Sequence, residues 1–137
     1  MPTARKRKNT CPEIHEVKVL MTSPELSTRT LRQSVANLAE LLGRIQTAKI
    51  LGVHRAQPAR WLRGEQAIDP ANARKIFDLD LVLRRLLISE LHNDEIGPWL
   101  TMAQPFLNGA RPIDVLFLTG PERVIRAIDA IDEWAYV

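Results

Sequence analysis

Apolar residues recur at helical spacing along most of the chain, and Gly, Pro or Asn marks the breaks. Leu31, Val35, Leu38, Leu41 and Leu42 repeat as on one face of an amphipathic helix. Ser23-Pro24-Glu25 ahead of them offers a capping hydroxyl, a proline suited to a first turn and an acid, with Ser27 as an alternative cap. Gly43 closes the segment. A shorter helix is expected from about Ile45 to Leu51, ended by Gly52, and another from about Arg55 to Leu62, ended by Gly64. Asp69-Pro70 starts a long fourth helix on which Ile76, Leu79, Val82, Leu83, Leu86, Leu87 and Leu91 are apolar. Asn93 to Pro98 reads as a turn, followed by an apolar stretch around Trp99 and a second turn at Asn108-Gly109. Arg111-Pro112 opens a short helix through Leu118. Pro121 opens a last one to about Glu133, which buries Val124, Ile125, Ile128 and Ile131. Val17 to Met21 reads as a strand or an extended segment, and Met1 to Glu16 has no apolar period. The expected fold class is all-α.

The stretch from Thr47 to Gly64, TAKILGVHRAQPARWLRG, has the requirements of a helix-turn-helix. Ala48 is small, so two helices can approach closely. Leu51 and Val53 enter the core on either side of a tight turn, where Gly52 supplies a positive φ without strain. Trp61 anchors the next helix. In such a motif the second helix lies in the major groove. His54, Arg55, Gln57 and Arg60 would then face base edges, because Arg matches guanine and Gln matches adenine. Arg44, Thr47, Lys49 and Arg63 would sit nearer phosphates and set register. The bland alternative is a helical hairpin with charged solvent faces. Pro58 stands where a residue with a free amide and an apolar side chain is usual. It is compatible only with a helix that begins around Arg55 to Gln57, it removes a core contact, and it puts DNA affinity in question more than fold.

Charge changes the picture. The net charge is only +3, but Met1 to Thr22 carries +3, Ser23 to Ile76 carries +5 and Phe77 to Val137 carries −5. A basic front suits a phosphate backbone, and an acidic back suits a partner of opposite sign, unless the surfaces simply differ in solvated charge. The run Arg5-Lys6-Arg7-Lys8 belongs to a basic arm expected to be flexible over 1–22. No apolar region follows it, so a secretory signal is not expected, and no apolar run approaches the ~18 residues of a membrane span. The single cysteine, Cys11, allows no intramolecular disulfide and fits the cytoplasm.

The C-terminal order is more distinctive: Trp99, then Pro105-Phe106-Leu107-Asn108-Gly109, then Arg111-Pro112-Ile113-Asp114-Val115-Leu116, Gly120, and Glu122-Arg123-Val124 leading into the closing helix. With the motif before it, this resembles the Xre/MbcA/ParS family of antitoxins over Leu31 to Val137. The resemblance implies an Xre-like helix-turn-helix bundle over 23–92 and a small helical toxin-binding domain over 93–137. It implies a type II antitoxin that binds and neutralises a RES-domain, NAD-consuming toxin through its C-terminal region. A homodimer within a toxin–antitoxin hetero-oligomer, and autorepression through operator DNA, would go with it. The residues expected at the toxin are Arg111, Glu122, Arg123, Asp132, Glu133, Trp134, Tyr136 and Val137. Acidic groups there complement a basic cleft, and the two aromatic residues are favoured interface anchors unless they pack back on their own helix. Arg111 and Arg123 are equally suited to local ion pairs, and Trp99 and Phe106 to the core.

Catalytic chemistry is not expected. His15, His54 and His92 are isolated, and no Cys/His spacing suits zinc. No Gly-rich phosphate loop is present, and Asp78 and Asp80 read as solvent-facing. Neither a metal nor a cofactor is therefore expected. The alternative reading is a stand-alone helix-turn-helix regulator. A third is a protein-interaction module whose motif has lost DNA binding, which Pro58 motivates.

Overall fold

The computed structural model describes residues 24–135, with side chains from Thr30 onward. The basic arm, Val17 to Met21, Tyr136 and Val137 lie outside the described residues. Within them the chain is all-helical: α1 (Pro24–Leu42), α2 (Arg44–Leu51), α3 (Gln57–Leu62), α4 (Pro70–Leu87), α5 (Asn93–Thr101), a single 3₁₀ turn (Pro105–Leu107), α6 (Pro112–Thr119) and α7 (Glu122–Ala135). No helix among the described residues is long and apolar enough to cross a membrane.

Local signals account for most boundaries. Asp69 caps α4, its Oδ2 accepting from the Asn72 amide at 3.3 Å, and Pro70 occupies the first turn. Gly43, at φ 85°, separates α1 from α2. The segment from Asn93 to Pro98 is a correction, since it is the start of α5 rather than a turn. Glu95 folds its carboxylate back onto the His92 amide at 3.3 Å, and Asp94 and Glu95 place negative charge at the helix N-terminus. Pro98 comes after that first turn, too late to prevent the helix from starting.

α4 is the hub. It buries Ile76, Leu79, Val82, Leu83 and Leu86 and touches α1, α2, α5, α6 and α7. Val35 and Leu38 of α1, Leu51 of α2 and Trp61 of α3 share one continuous core with Trp99, Leu116, Val124 and Ile128. The expected division near residue 92 therefore falls between helices that pack on common ground. In α7, Val124, Ala127 and Ile128 are buried, whereas Ile125 and Ile131 are only partly covered. Trp99 is in the core as expected, but Phe106 is not: it is 44 % exposed on the 3₁₀ turn.

One core position departs from the sequence reading. Asp80 is not solvent-facing but 3 % exposed, on the same face of α4 as Ile76 and Leu83. Ser34 of α1 donates to its Oδ2 at 2.9 Å and Arg84 at 2.8 Å. Asp80 sits four residues after Ile76 and three before Leu83, so the helical period itself carried the signal. The general tendency of carboxylates to face water outweighed it.

Candidate functional site

α2 and α3 are joined by a short turn that both ends specify. Gly52 adopts φ 73°, ψ 32°, the left-handed region, and closes α2 with its amide on the Lys49 carbonyl while the Val53 amide bonds to Ala48. This pair of reversed bonds is the glycine-terminated helix end expected at that position. α3 ends the same way, Gly64 bonding back to Trp61 and Glu65 to Arg60. At the turn, the Ala56 amide donates to His54 Nδ1 at 3.1 Å, so this imidazole holds the backbone ahead of α3.

Ala48, Leu51 and Trp61 are buried at 2 %, 1 % and 1 % exposure, and Val53 packs against the core. α3 begins at Gln57, which puts Pro58 in its first turn, where the missing amide costs no helical bond. The expectation that Pro58 forfeits a core contact is corrected, because its ring is itself buried.

The expected DNA-facing residues separate into three groups. Arg44, Lys49, Arg55 and Arg60 are exposed, and so is His54 apart from its backbone bond. Gln57 and Arg63 are engaged along the surface: Gln57 donates to Gln66 at 2.8 Å, and Arg63 Nε donates to Glu65 at 2.6 Å. That bond raises the Arg63 guanidinium above its ordinary value and holds the Glu65 carboxyl below the usual carboxylate range. Thr47 belongs to neither group. It is 0 % exposed, and its single O–H is shared between the Gly43 carbonyl at 2.7 Å and the Leu38 carbonyl at 3.1 Å. Thr47 therefore ties α2 to α1 and is removed from the expected phosphate contacts.

Two cationic side chains that the sequence does not single out, Lys75 and Arg32, connect this motif to the rest. Lys75 of α4 donates to the Leu51 carbonyl at 3.5 Å, placing a cation at the C-terminus of α2. The same ammonium lies 5.3 Å from the centre of the Phe117 ring in α6. Arg32 of α1 lies over Gly64, where a Cβ would come within 3.0 Å of its guanidinium, so a side chain at 64 would displace it. These pairings link residues far apart in sequence, and no local pattern announces them.

Of the C-terminal candidates, Arg111 and Glu122 are held by local pairs, Asp132 is held by α4, and three face solvent. Arg111 donates to Asp114 at 2.7 Å, and this bond raises the arginine and lowers the aspartate. Glu122 pairs with Arg126 along α7. Asp132 accepts from Arg85 of α4 at 2.7 Å, and Asp129 accepts from the same guanidinium at 2.7 Å. The Asp132 bond is the main reason Arg85 is held above its ordinary value. Asp132 therefore anchors α7 to α4. Arg123, Glu133 and Trp134 face solvent, with Trp134 70 % exposed. No group of His, Cys, Asp and Glu that could hold a metal ion is present among the described residues.

Comparison with protein-family models, with curated proteins and with solved structures yields no match.

Proposed function

We propose that this protein is the antitoxin of a type II pair. In this reading its C-terminal region binds and neutralises a RES-domain toxin that consumes NAD. The helix–turn–helix of α2 and α3 binds operator DNA to repress the operon. The protein would act in the cytoplasm, without catalysis of its own.

The observation that carries the reading is Trp134. Trp134 is 70 % exposed on the last turn of α7, beyond the buried Val124, Ala127 and Ile128 that dock the helix. Large exposed aromatics of this kind are typical interface anchors. Glu133 beside it and the acidic balance of the C-terminal half suit a basic cleft. Phe77 and Leu81 of α4, and Ile88 just after it, are 40 %, 48 % and 79 % exposed, apolar surface that a second copy would cover in a homodimer.

Co-expression with the product of the neighbouring reading frame tests the proposal. A stable complex that relieves host toxicity, weakened by Trp134→Ala without loss of fold, is the expected result. Absence of both complex and relief overturns it.

A second reading, a stand-alone regulator, is favoured by the exposed cations Arg44, Lys49, Arg55 and Arg60 around the turn. It predicts an upstream DNA shift that is abolished by Arg55→Ala with Arg60→Ala and recovers no protein partner. In both readings operator affinity falls steeply with salt.

A further inference from the structure

Arg32 of α1 lies outside the helix-turn-helix in sequence but against it in space. Its guanidinium rests on the Gly64 backbone at the end of α3, 3.0 Å from where a Cβ would stand. It is exposed, and among the described residues it has neither an ion pair nor a hydrogen bond. Arg74, Arg84, Arg85, Arg111 and Arg126, from α4 onward, each pair with a carboxylate. The sequence explains the difference. One turn away on α1 stand Thr28, Arg29, Val35 and Ala36, none of them acidic. Glu65, beside Gly64, is already held by Arg63 through bonds of 2.6 and 3.2 Å. The carbonyls at the end of α3 are taken as well, Trp61 by the Gly64 amide and Arg60 by the Glu65 amide. The N–H donors of the Arg32 guanidinium are therefore left without an acceptor among the described residues.

The surroundings favour an anion. The guanidinium borders a hollow of about 190 Å³ with Leu31, Trp61, Gly64 and Gln66, and among the described residues it is the only charged side chain lining it. Gly64 follows Arg60 by four residues, so Arg32 sits about one turn beyond that exposed cation. α3 has six residues and is about 9 Å long, a little short of the ~12 Å width of the major groove. With the start of α3 at the base edges, its far end comes to the wall of the groove, and Arg32 comes with it. That wall is made of phosphates.

We propose that Arg32 grips a phosphate of the DNA backbone at the C-terminal end of α3, which extends the DNA-binding surface from the helix-turn-helix onto α1. The planar guanidinium offers parallel N–H donors to the two non-bridging oxygens of a phosphodiester. Gly64 lets it lie there, because a side chain at 64 would displace it. A contact of this kind carries no base information and sets register. The inference rests on the DNA-binding reading of α2 and α3.

The test is a fluorescence-anisotropy titration of the full chain against a labelled duplex from the upstream region and a scrambled duplex of the same length, at several salt concentrations. In the parent, log affinity falls linearly with log salt. Arg32→Gln should make that slope shallower by about 0.9, the share of one phosphate. It should weaken binding to both duplexes alike, about tenfold at low salt. Arg32→Lys keeps the charge without the fork, and should restore the slope with only part of the affinity. Arg126→Gln removes the same charge from α7 and should leave the slope as in the parent. Both Arg32 variants should melt as the parent does. An unchanged slope in Arg32→Gln, a loss confined to the upstream duplex, or an equal loss in Arg126→Gln would each overturn the phosphate contact and leave DNA binding standing. A parent that binds neither duplex would overturn the DNA-binding reading, and this contact with it.

Discussion

Thr47 and Asp69 show how much a single side chain can do by where its oxygen points. The Thr47 hydroxyl serves two carbonyls in a fully buried position between α1 and α2. Thr47→Val keeps the shape and removes this shared O–H donor, so it should lower stability by about 1 kcal/mol in urea unfolding and, under the proposed function, leave operator affinity of the folded protein unchanged. Weaker DNA binding at unchanged stability would return Thr47 to the phosphate contacts. The Asp69 carboxyl is held below the usual carboxylate range, first by the Asn72 side-chain amide and then by its backbone. Its folded-state pKa lies below the unfolded one. Its contribution is therefore present above the ordinary carboxylate range of about pH 4 and is lost as pH falls through the folded value. Glu65 and Asp114 are shifted in the same direction by their arginine partners. Asp69→Asn keeps a capping oxygen but cannot titrate, so thermal melts should show a shallower loss of stability on acidification than in the parent. An identical acid limb in both proteins would exclude Asp69 from it.

At the scale of elements, α2 and α3 are too short to hold themselves. Helices of 8 and 6 residues depend on tertiary support. Trp61 supplies it from below and Lys75 from the side. The Lys75 ammonium meets both the C-terminal carbonyl of α2 and the Phe117 ring. Lys75→Met preserves the aliphatic stem and removes the charge. It should destabilise the fold by about 1 kcal/mol and increase amide exchange at the end of α2 before other helices are affected. Uniform exchange changes across the molecule would show that Lys75 does not act on α2 in particular. α5 teaches a related lesson: a segment containing Gly97 and Pro98 still forms a helix when its acidic first turn and its buried Ile96, Trp99 and Leu100 favour one. Breaker residues marked the region but not its conformation.

For the whole molecule, the decisive feature is that α4 serves both halves. Its buried face packs on α1 and α2 and also on α6 and α7, and Arg85 fastens α7 through Asp129 and Asp132. Ending the chain at residue 92 would strip Leu116, Val124 and Ile128 from α4 and leave that guanidinium without its partners. Such a truncation should lose cooperative thermal unfolding and dispersed NMR signals while keeping some helical circular dichroism. A sharp, parent-like transition would establish two independent domains.

The positions of the helices other than α5, the glycine-closed turn at Gly52 and the burial of Trp61 were legible in the sequence. Each depends on local physics: a 3.6-residue period, a residue without a Cβ at positive φ, or a capping side chain beside the helix it starts. The candidate interfaces were legible as residue types, but not which of those residues remain exposed. Thr47 and Asp132 have the composition of surface contacts, yet Thr47 is buried between helices and Asp132 is bound to Arg85. The Lys75–Phe117 contact and the shared core around α4 were decided only by the tertiary structure. They join positions tens of residues apart, and no short-range periodicity records which helix faces meet.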